Sequence, residues 1–135
     1  MDLTYPRPTP CAVTQPFWDG LRQHRLSIQH CAGCASFFFY PRAMCPRCWT
    51  PDISWQEIPG TGRLHSFTIA HVATAPHFAA DVPQKIAVVE LDEGPRLTST
   101  LVAVEPADVT IGMRLAPVFD DLADVPLTLL RFRPA

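Results

Sequence analysis

The sequence predicts a mainly β chain: a short N-terminal helix, a small cysteine-stapled ribbon, then a five-stranded barrel. Three observations predict it. Four cysteines stand as two pairs, Cys31-x2-Cys34 and Cys45-x2-Cys48, with ten residues between the pairs. Beyond Gly60-Thr61-Gly62 the chain becomes a series of short strand-patterned runs separated by turn residues. The 135 residues are 47% hydrophobic and 18% charged, a globular composition that suffices for a metal-held module joined to one small barrel.

The first segment, residues 1–29, opens with a proline-rich arm (Pro6, Pro8, Pro10). Thr14 is placed as a helix N-cap with Pro16 in the first turn. Phe17, Leu21 and His24 then fall on one face. A helix this short does not stand alone and must dock on something. Its apolar face suits plain packing, while Phe17 and Trp18 are candidates for contact with a partner.

The second segment, residues 30–58, is read as a zinc ribbon, with Leu26-Ser27-Ile28-Gln29 leading in as a strand. Each cysteine pair suits one turn of backbone that points two thiolates at a single ion. Two such turns make the closed tetrahedral S4 site of structural Zn2+. Pro46 pre-sets the second turn. Cys31, Cys34, Cys45 and Cys48 are therefore the candidate metal ligands. Iron is the rival metal for the same geometry, and free core thiols are the bland alternative. A four-thiolate ion has no open position and performs no hydrolysis. The run Phe37-Phe38-Phe39-Tyr40 links the knuckles and reads as a cover over the metal or against the next domain. Ala35 and Trp49 follow the second cysteine of each pair, where a positive φ is expected and glycine is usual. A non-glycine residue there costs about 1 kcal/mol.

The third segment, residues 59–135, carries five strand-like runs: Arg63 to Val72, Lys85 to Leu91, Leu97 to Val104, Met113 to Phe119 and Leu127 to Phe132. Asp92-Glu93-Gly94-Pro95 is a tight hairpin turn. A short irregular or helical stretch, Glu105 to Val109, separates the third run from the fourth. That is the outline of an OB-fold barrel. Strict alternation puts His65 and His71 on the face of Phe67 and Ile69, roughly 20 Å apart along an extended chain, too far to share an ion.

Charge is uneven. Residues 1–50 carry five arginines against Asp2 and Asp19, whereas residues 51–135 carry six basic and eleven acidic side chains. An acidic barrel argues against nucleic acid, which needs a basic stripe on the binding face. No apolar run approaches the roughly 18 residues of a membrane span. Met1 to Pro6, acidic and broken by proline, does not read as a leader. Cysteines spaced for metal rather than disulfides point to a reducing cytoplasm, and Cys11 reads as an ordinary free thiol. No nucleophile elbow, paired carboxylates or phosphate-cradling loop appears, so a self-contained catalytic site is not expected.

These features together resemble the rubredoxin-like zinc-ribbon plus OB-fold family of acyl-CoA-associated proteins, a former domain of unknown function. The likeness rests on Pro16-Phe17-Trp18, Cys31-Ala32-Gly33-Cys34, Tyr40-Pro41-Arg42 and Cys45-Pro46-Arg47-Cys48. It continues through Gly60-Thr61-Gly62-Arg63-Leu64-His65-Ser66-Phe67-Thr68, Val88 to Leu97 and Ile111-Gly112, nearly the whole chain. The resemblance implies a non-catalytic accessory subunit in a hetero-oligomer with a thiolase-like enzyme (thiolase, acyltransferase or retro-aldolase), or with a MaoC-like enoyl-CoA hydratase. Steroid side-chain degradation is one setting in which similar subunits occur. It also implies that the barrel helps form a site for a CoA thioester. His77 and Phe78, in the long loop Thr74 to Gln84, are then candidates for contact with substrate or partner. Lys85 and Arg96, at strand starts, are candidates for the CoA phosphates. A single-stranded nucleic-acid module and an iron redox protein are the readings from other classes.

Overall fold

The computed structural model describes residues 6–135; residues 1–5, on which most of the leader reading rests, lie outside the described residues. Helix α1 spans Gln15–Arg22. Thr14 occupies the N-cap position, but its side chain makes no cap hydrogen bond. Pro16 offers no N–H at the second helical position, and Thr14 lies in the α region rather than extended (φ −94°, ψ −11°). Its hydroxyl turns back and accepts from the Cys11 N–H at 3.0 Å. Phe17 and Leu21 are buried as the helical period requires. His24 departs from that face. It follows the helix with φ 57°, lies exposed, and stacks on Phe119 with ring centroids 5.3 Å apart.

Three strands form the ribbon: β1 (Leu26–Cys31), β2 (Ser36–Phe38) and β3 (Ile53–Ile58), in the order β2-β1-β3. Strand β1 crosses the boundary drawn at 29/30, and Leu26 pairs with Ile58 at the base of the ribbon. Gln29 is buried and holds the loop between the knuckles with both ends of its amide. Its Nε2 donates to the Arg42 carbonyl at 2.8 Å and its Oε1 accepts from the Arg42 N–H at 2.7 Å. The aromatic run divides its work. Phe38 packs on Cys31 and Cys45, while Phe37 and Phe39 pack on the main core.

The OB fold is built from β4 (Gly62–Ala70), β5 (Gln84–Leu91), β6 (Arg96–Thr100), β7 (Arg114–Asp121) and β8 (Thr128–Pro134), in the order β6-β5-β4-β7-β8. A 3-10 turn at Pro106–Asp108 fills the predicted irregular stretch. The expected barrel does not close. Strands β6 and β8 meet through a single parallel bridge, Leu101 to Phe132, and otherwise through side chains. Ser99 Oγ donates to the Leu130 carbonyl and Arg131 Nη1 to Thr100 Oγ1, both at 2.7 Å. Farther along the seam the Tyr40 hydroxyl, from the ribbon, accepts the Thr98 N–H of β6 at 3.2 Å. A ribbon side chain thus takes a backbone donor of β6 that a closing strand would pair, and side chains of α1 lie alongside the seam.

Strand β4 corrects the reading of its histidine. Its register with β5 shifts between Leu64 and Ser66. The bulge makes His65 the extra residue, so Leu64 and Phe67 both reach the core, whereas strict alternation would part them. His65 is exposed beside Glu90, away from the face of Phe67. His71 lies beyond the end of the strand. At Gly62 the two strands come close: a Cβ there would sit 2.3 Å from the Glu90 carbonyl oxygen.

One core joins all three segments. Phe17 and Leu21 from α1, Leu26, Ile28 and Ile58 from the ribbon, and Leu64, Val89, Leu91, Leu115 and Phe132 from the barrel form a single cluster. A second, smaller cluster surrounds the cysteines.

Candidate functional site

The four cysteines converge. One sulfur from each of Cys31, Cys34, Cys45 and Cys48 lies within 4.8 Å of every other. The Cys31–Cys48 and Cys34–Cys45 sulfurs are 3.4 and 3.6 Å apart. A tetrahedron with Zn–S bonds of ~2.3 Å has S···S edges of ~3.8 Å, so the donor set fits one Zn2+. The knuckles shape themselves for it. The Cys34 N–H points at Cys31 Sγ (3.5 Å) and the Arg47 N–H at Cys45 Sγ (3.4 Å). Ala35 and Trp49 take φ of 54° and 64°, the left-handed geometry expected of these two positions.

Thiols packed this closely do not ionise alike. The N–H groups of Cys48 and Arg47 favour the Cys45 thiolate and, against burial, bring it down to about 6. At Cys31 the Cys34 N–H also favours the thiolate, but burial and the three neighbouring sulfurs prevail and push it up to about 12. A divalent cation resolves that conflict, because it stabilises all four thiolates together. Four sulfurs fill its coordination shell, so the centre is structural.

Beside the ribbon, along the open seam of the barrel, lies a cleft of about 400 Å³ with almost wholly apolar walls. Phe17, Trp18 and Leu21 of α1 form one side, Phe39 and Tyr40 of the ribbon another, and Leu97 and Leu130 the floor. Phe17 meets Trp18 edge-on at 5.0 Å and Phe39 at 5.4 Å. A second cleft, about 450 Å³ and largely polar, includes Asp81, Gln84 and Lys85 in its wall. Thr100 and Arg131 line both clefts, so apolar and polar spaces adjoin across the same two side chains. Arg131 is held there by Asp120, its Nε 2.7 Å from Oδ2.

The structure brings some of the sequence candidates together and not others. Phe17 and Trp18 share the apolar cleft, and Lys85 borders the polar one. Arg96 does not join Lys85. The two lie at opposite ends of the β5–β6 hairpin, where Ile86 pairs with Thr100 and Glu90 with Arg96, and Arg96 Nε is 2.9 Å from Glu90 Oε2. His77 and Phe78 sit on the 3-10 segment Pro76–Asp81, half-buried, with rings 6.3 Å apart, and neither borders the two clefts. Sequence reasoning missed Thr100, Leu130 and Arg131. Each is an ordinary strand residue by pattern, and only the β6–β8 contact gives it a role.

A cysteine-held ribbon sharing one core with an OB fold defines the class of this chain as a zinc-ribbon and OB-fold protein. Residues 18–54 match the model of the ChsH2 rubredoxin-like zinc ribbon domain, and residues 55–120 that of the ChsH2 C-terminal OB-fold domain. The chain is 32% identical over 99 residues to a DUF35 domain-containing scaffold protein of Methanothermobacter thermautotrophicus, covering 73% of this chain and 74% of that one. It is 43% identical over 121 residues to a probable enoyl-CoA hydratase alpha subunit of Thermomonospora curvata, covering 88% of this chain. The chain spans 37% of that relative's length. A chain of the solved Ltp2-ChsH2(DUF35) aldolase superposes with a TM-score of 0.83 at 37% identity, covering 95% of this chain and 98% of that one. The chain belongs to the DUF35 family, with the paired zinc-ribbon and OB-fold domains of ChsH2.

Proposed function

We propose that the chain is a non-catalytic accessory subunit of an acyl-CoA-processing enzyme complex, with a thiolase-like aldolase as its partner. The observation that carries this reading is the end-to-end likeness to a chain of the Ltp2-ChsH2(DUF35) aldolase. The metal centre agrees with it, because a saturated four-sulfur ion organises a surface and does no chemistry of its own. The partner supplies the reacting groups, and this chain supplies walls of the substrate site.

The two adjoining clefts support a role for the chain in holding a CoA thioester. An apolar space and a polar one that adjoin across Thr100 and Arg131 suit a ligand with an aliphatic part and a charged part. Phe17 and Trp18 would contact the former and Lys85 the latter, while His77 and Phe78 would face the partner. Arg96, ion-paired with Glu90 away from the polar cleft, is the weakest of the proposed contacts.

The 43% identity to a hydratase alpha subunit favours a second reading, in which the partner is a MaoC-like enoyl-CoA hydratase. One experiment separates the two. The chain is affinity-purified from its native lysate, the stoichiometric partner is identified, and the purified complex is assayed for retro-aldol cleavage and for enoyl-CoA hydration. Activity that needs both chains supports the accessory role and names the reaction. An activity of this chain alone, or recovery with no enzyme chain, overturns it.

A further inference from the structure

The four sulfurs share one metal site but not one environment. Cys31 and Cys45 are buried, Cys34 is half-buried and Cys48 is exposed. Hydrogen-bond donors are shared out just as unevenly. The Cys34 N–H points at Cys31 Sγ and the Arg47 N–H at Cys45 Sγ. Ser36 Oγ lies 3.1 Å from Cys34 Sγ, and Arg47 Nη1 donates to that hydroxyl at 3.4 Å. Ser36 Oγ is also 3.2 Å from the Cys34 carbonyl. Its single proton goes to the sulfur, because a metal-bound thiolate carries charge and is the stronger acceptor. Cys34, Ser36 and Arg47 line one polar groove together with Glu93. Cys48 Sγ has no N–H or O–H donor among the described residues; its contact is Cys31 Sγ at 3.4 Å.

We infer that the metal centre has a built-in weak ligand: Cys48 is the sulfur at which a carbon electrophile attacks and opens the site, while Ser36, backed by Arg47, protects Cys34. Each donor aimed at a thiolate draws off part of the charge that makes the sulfur a nucleophile. Burial keeps Cys31 and Cys45 from a reagent. Cys34 is within reach but carries a hydroxyl donor, and Cys48 is within reach and carries none. In the attack an electron pair on Cys48 Sγ forms the new S–C bond as the bond from carbon to its leaving group breaks. The leaving group departs with that bonding pair. The product is a neutral thioether, which gives up the metal, since the ligand is the thiolate. Phe39, Tyr40 and Pro41, on the strut between the two cysteine pairs, line the apolar cleft. Modification of Cys48, which does not border that cleft, therefore loosens one of its walls.

The test uses the zinc-loaded full chain carrying Cys11→Ser, because Cys11 is exposed, lies outside the metal set and would consume reagent. A sub-stoichiometric amount of iodoacetamide is added and quenched. Peptide mass mapping locates the carbamidomethyl groups, and a chromogenic chelator reports zinc released. The expected result is label at Cys48 about tenfold above each other ligand, with zinc released in step with it. Ser36→Ala should raise the labelling of Cys34 about tenfold and leave Cys48 as it was. Ser36→Thr, which keeps the hydroxyl, should restore the parent order, and Arg47→Gln should expose Cys34 by a smaller step than Ser36→Ala. Label falling first on Cys31, Cys34 or Cys45, or evenly on all four, overturns the inference. So does a Ser36→Ala chain in which Cys34 stays as slow as before. Should Ser36→Ala fail to take up zinc, the order in the parent chain and the Arg47→Gln chain decide, and unaltered labelling in Arg47→Gln overturns the inference.

Discussion

Asp92 ties the β5–β6 turn to the start of two other strands. Its carboxylate accepts both guanidinium nitrogens of Arg114, at 2.8 and 2.9 Å, and the Thr61 hydroxyl at 2.7 Å. The Arg114 hydrogen bonds and then that of Thr61 hold the Asp92 carboxyl far below the usual carboxylate range. A carboxylate depressed in the folded state stabilises the fold above its unfolded value of about 4 and loses that contribution as pH falls towards its folded value. Both side chains are close to half exposed, so solvent screens the pair and the effect is modest. Arg114→Ala should therefore cost about 1 kcal/mol at pH 7. By urea denaturation the gap from wild type should narrow at pH 3, and an equal gap at both pH values would show that Arg114 acts by packing instead. Residue-scale features of this kind divide sharply in how readable they are. The four ligands and the left-handed positions at Ala35 and Trp49 follow from local spacing, because a knuckle is a single turn of chain. The Asp92–Arg114 pair joins residues 22 apart whose meeting depends on the whole barrel.

At the scale of elements, α1 has no stability of its own and is held by two side chains. Leu21 is fully buried and Phe17 nearly so. Behind the helix, His24 Nε2 lies 2.8 Å from Asp121 Oδ2 and gives a second, exposed attachment to β7. Leu21→Ala should cost about 3 kcal/mol through the lost burial and the cavity it leaves. Because Leu21 also lines the apolar cleft, the same change should raise amide exchange across Gln15–Arg22 more than across β4 and β5. Uniform acceleration would show that helix and barrel open as one unit. The helix and all five barrel strands were legible from period and turn residues. The bulge at His65 was not, since one inserted residue leaves alternation looking intact and shows only in the pairing with β5. The open seam was equally hidden. Five strand patterns imply a barrel, and only the pairing shows that β6 meets β8 through one bridge and a few side chains.

The whole molecule couples its metal to its cleft through a short piece of chain. Phe39, Tyr40 and Pro41 line the apolar cleft, and they belong to the strut between the two cysteine pairs. Removing the metal should therefore act at a distance. The knuckles have the small cluster of Cys31, Cys34, Phe38, Cys45 and Ile53 to hold them, too little apolar surface to order the residues between them without an ion. The base of the ribbon differs, because Leu26, Ile28 and Ile58 belong to the main core with Leu115 and Phe132. A strong chelator should strip amide-exchange protection from residues 31–53 and leave the strands around Leu64, Val89 and Leu115 protected. Cys45→Ser should reproduce this, and stoichiometric Zn2+ should reverse the chelator's effect. Release of the strut also frees Tyr40 from the Thr98 N–H and takes one wall from the apolar cleft. The apo chain should then bind a fluorescent aliphatic probe at least tenfold more weakly than the zinc form, although no metal ligand touches the cleft. Unchanged probe binding after full loss of zinc would mean that the cleft is held by α1 and the barrel alone.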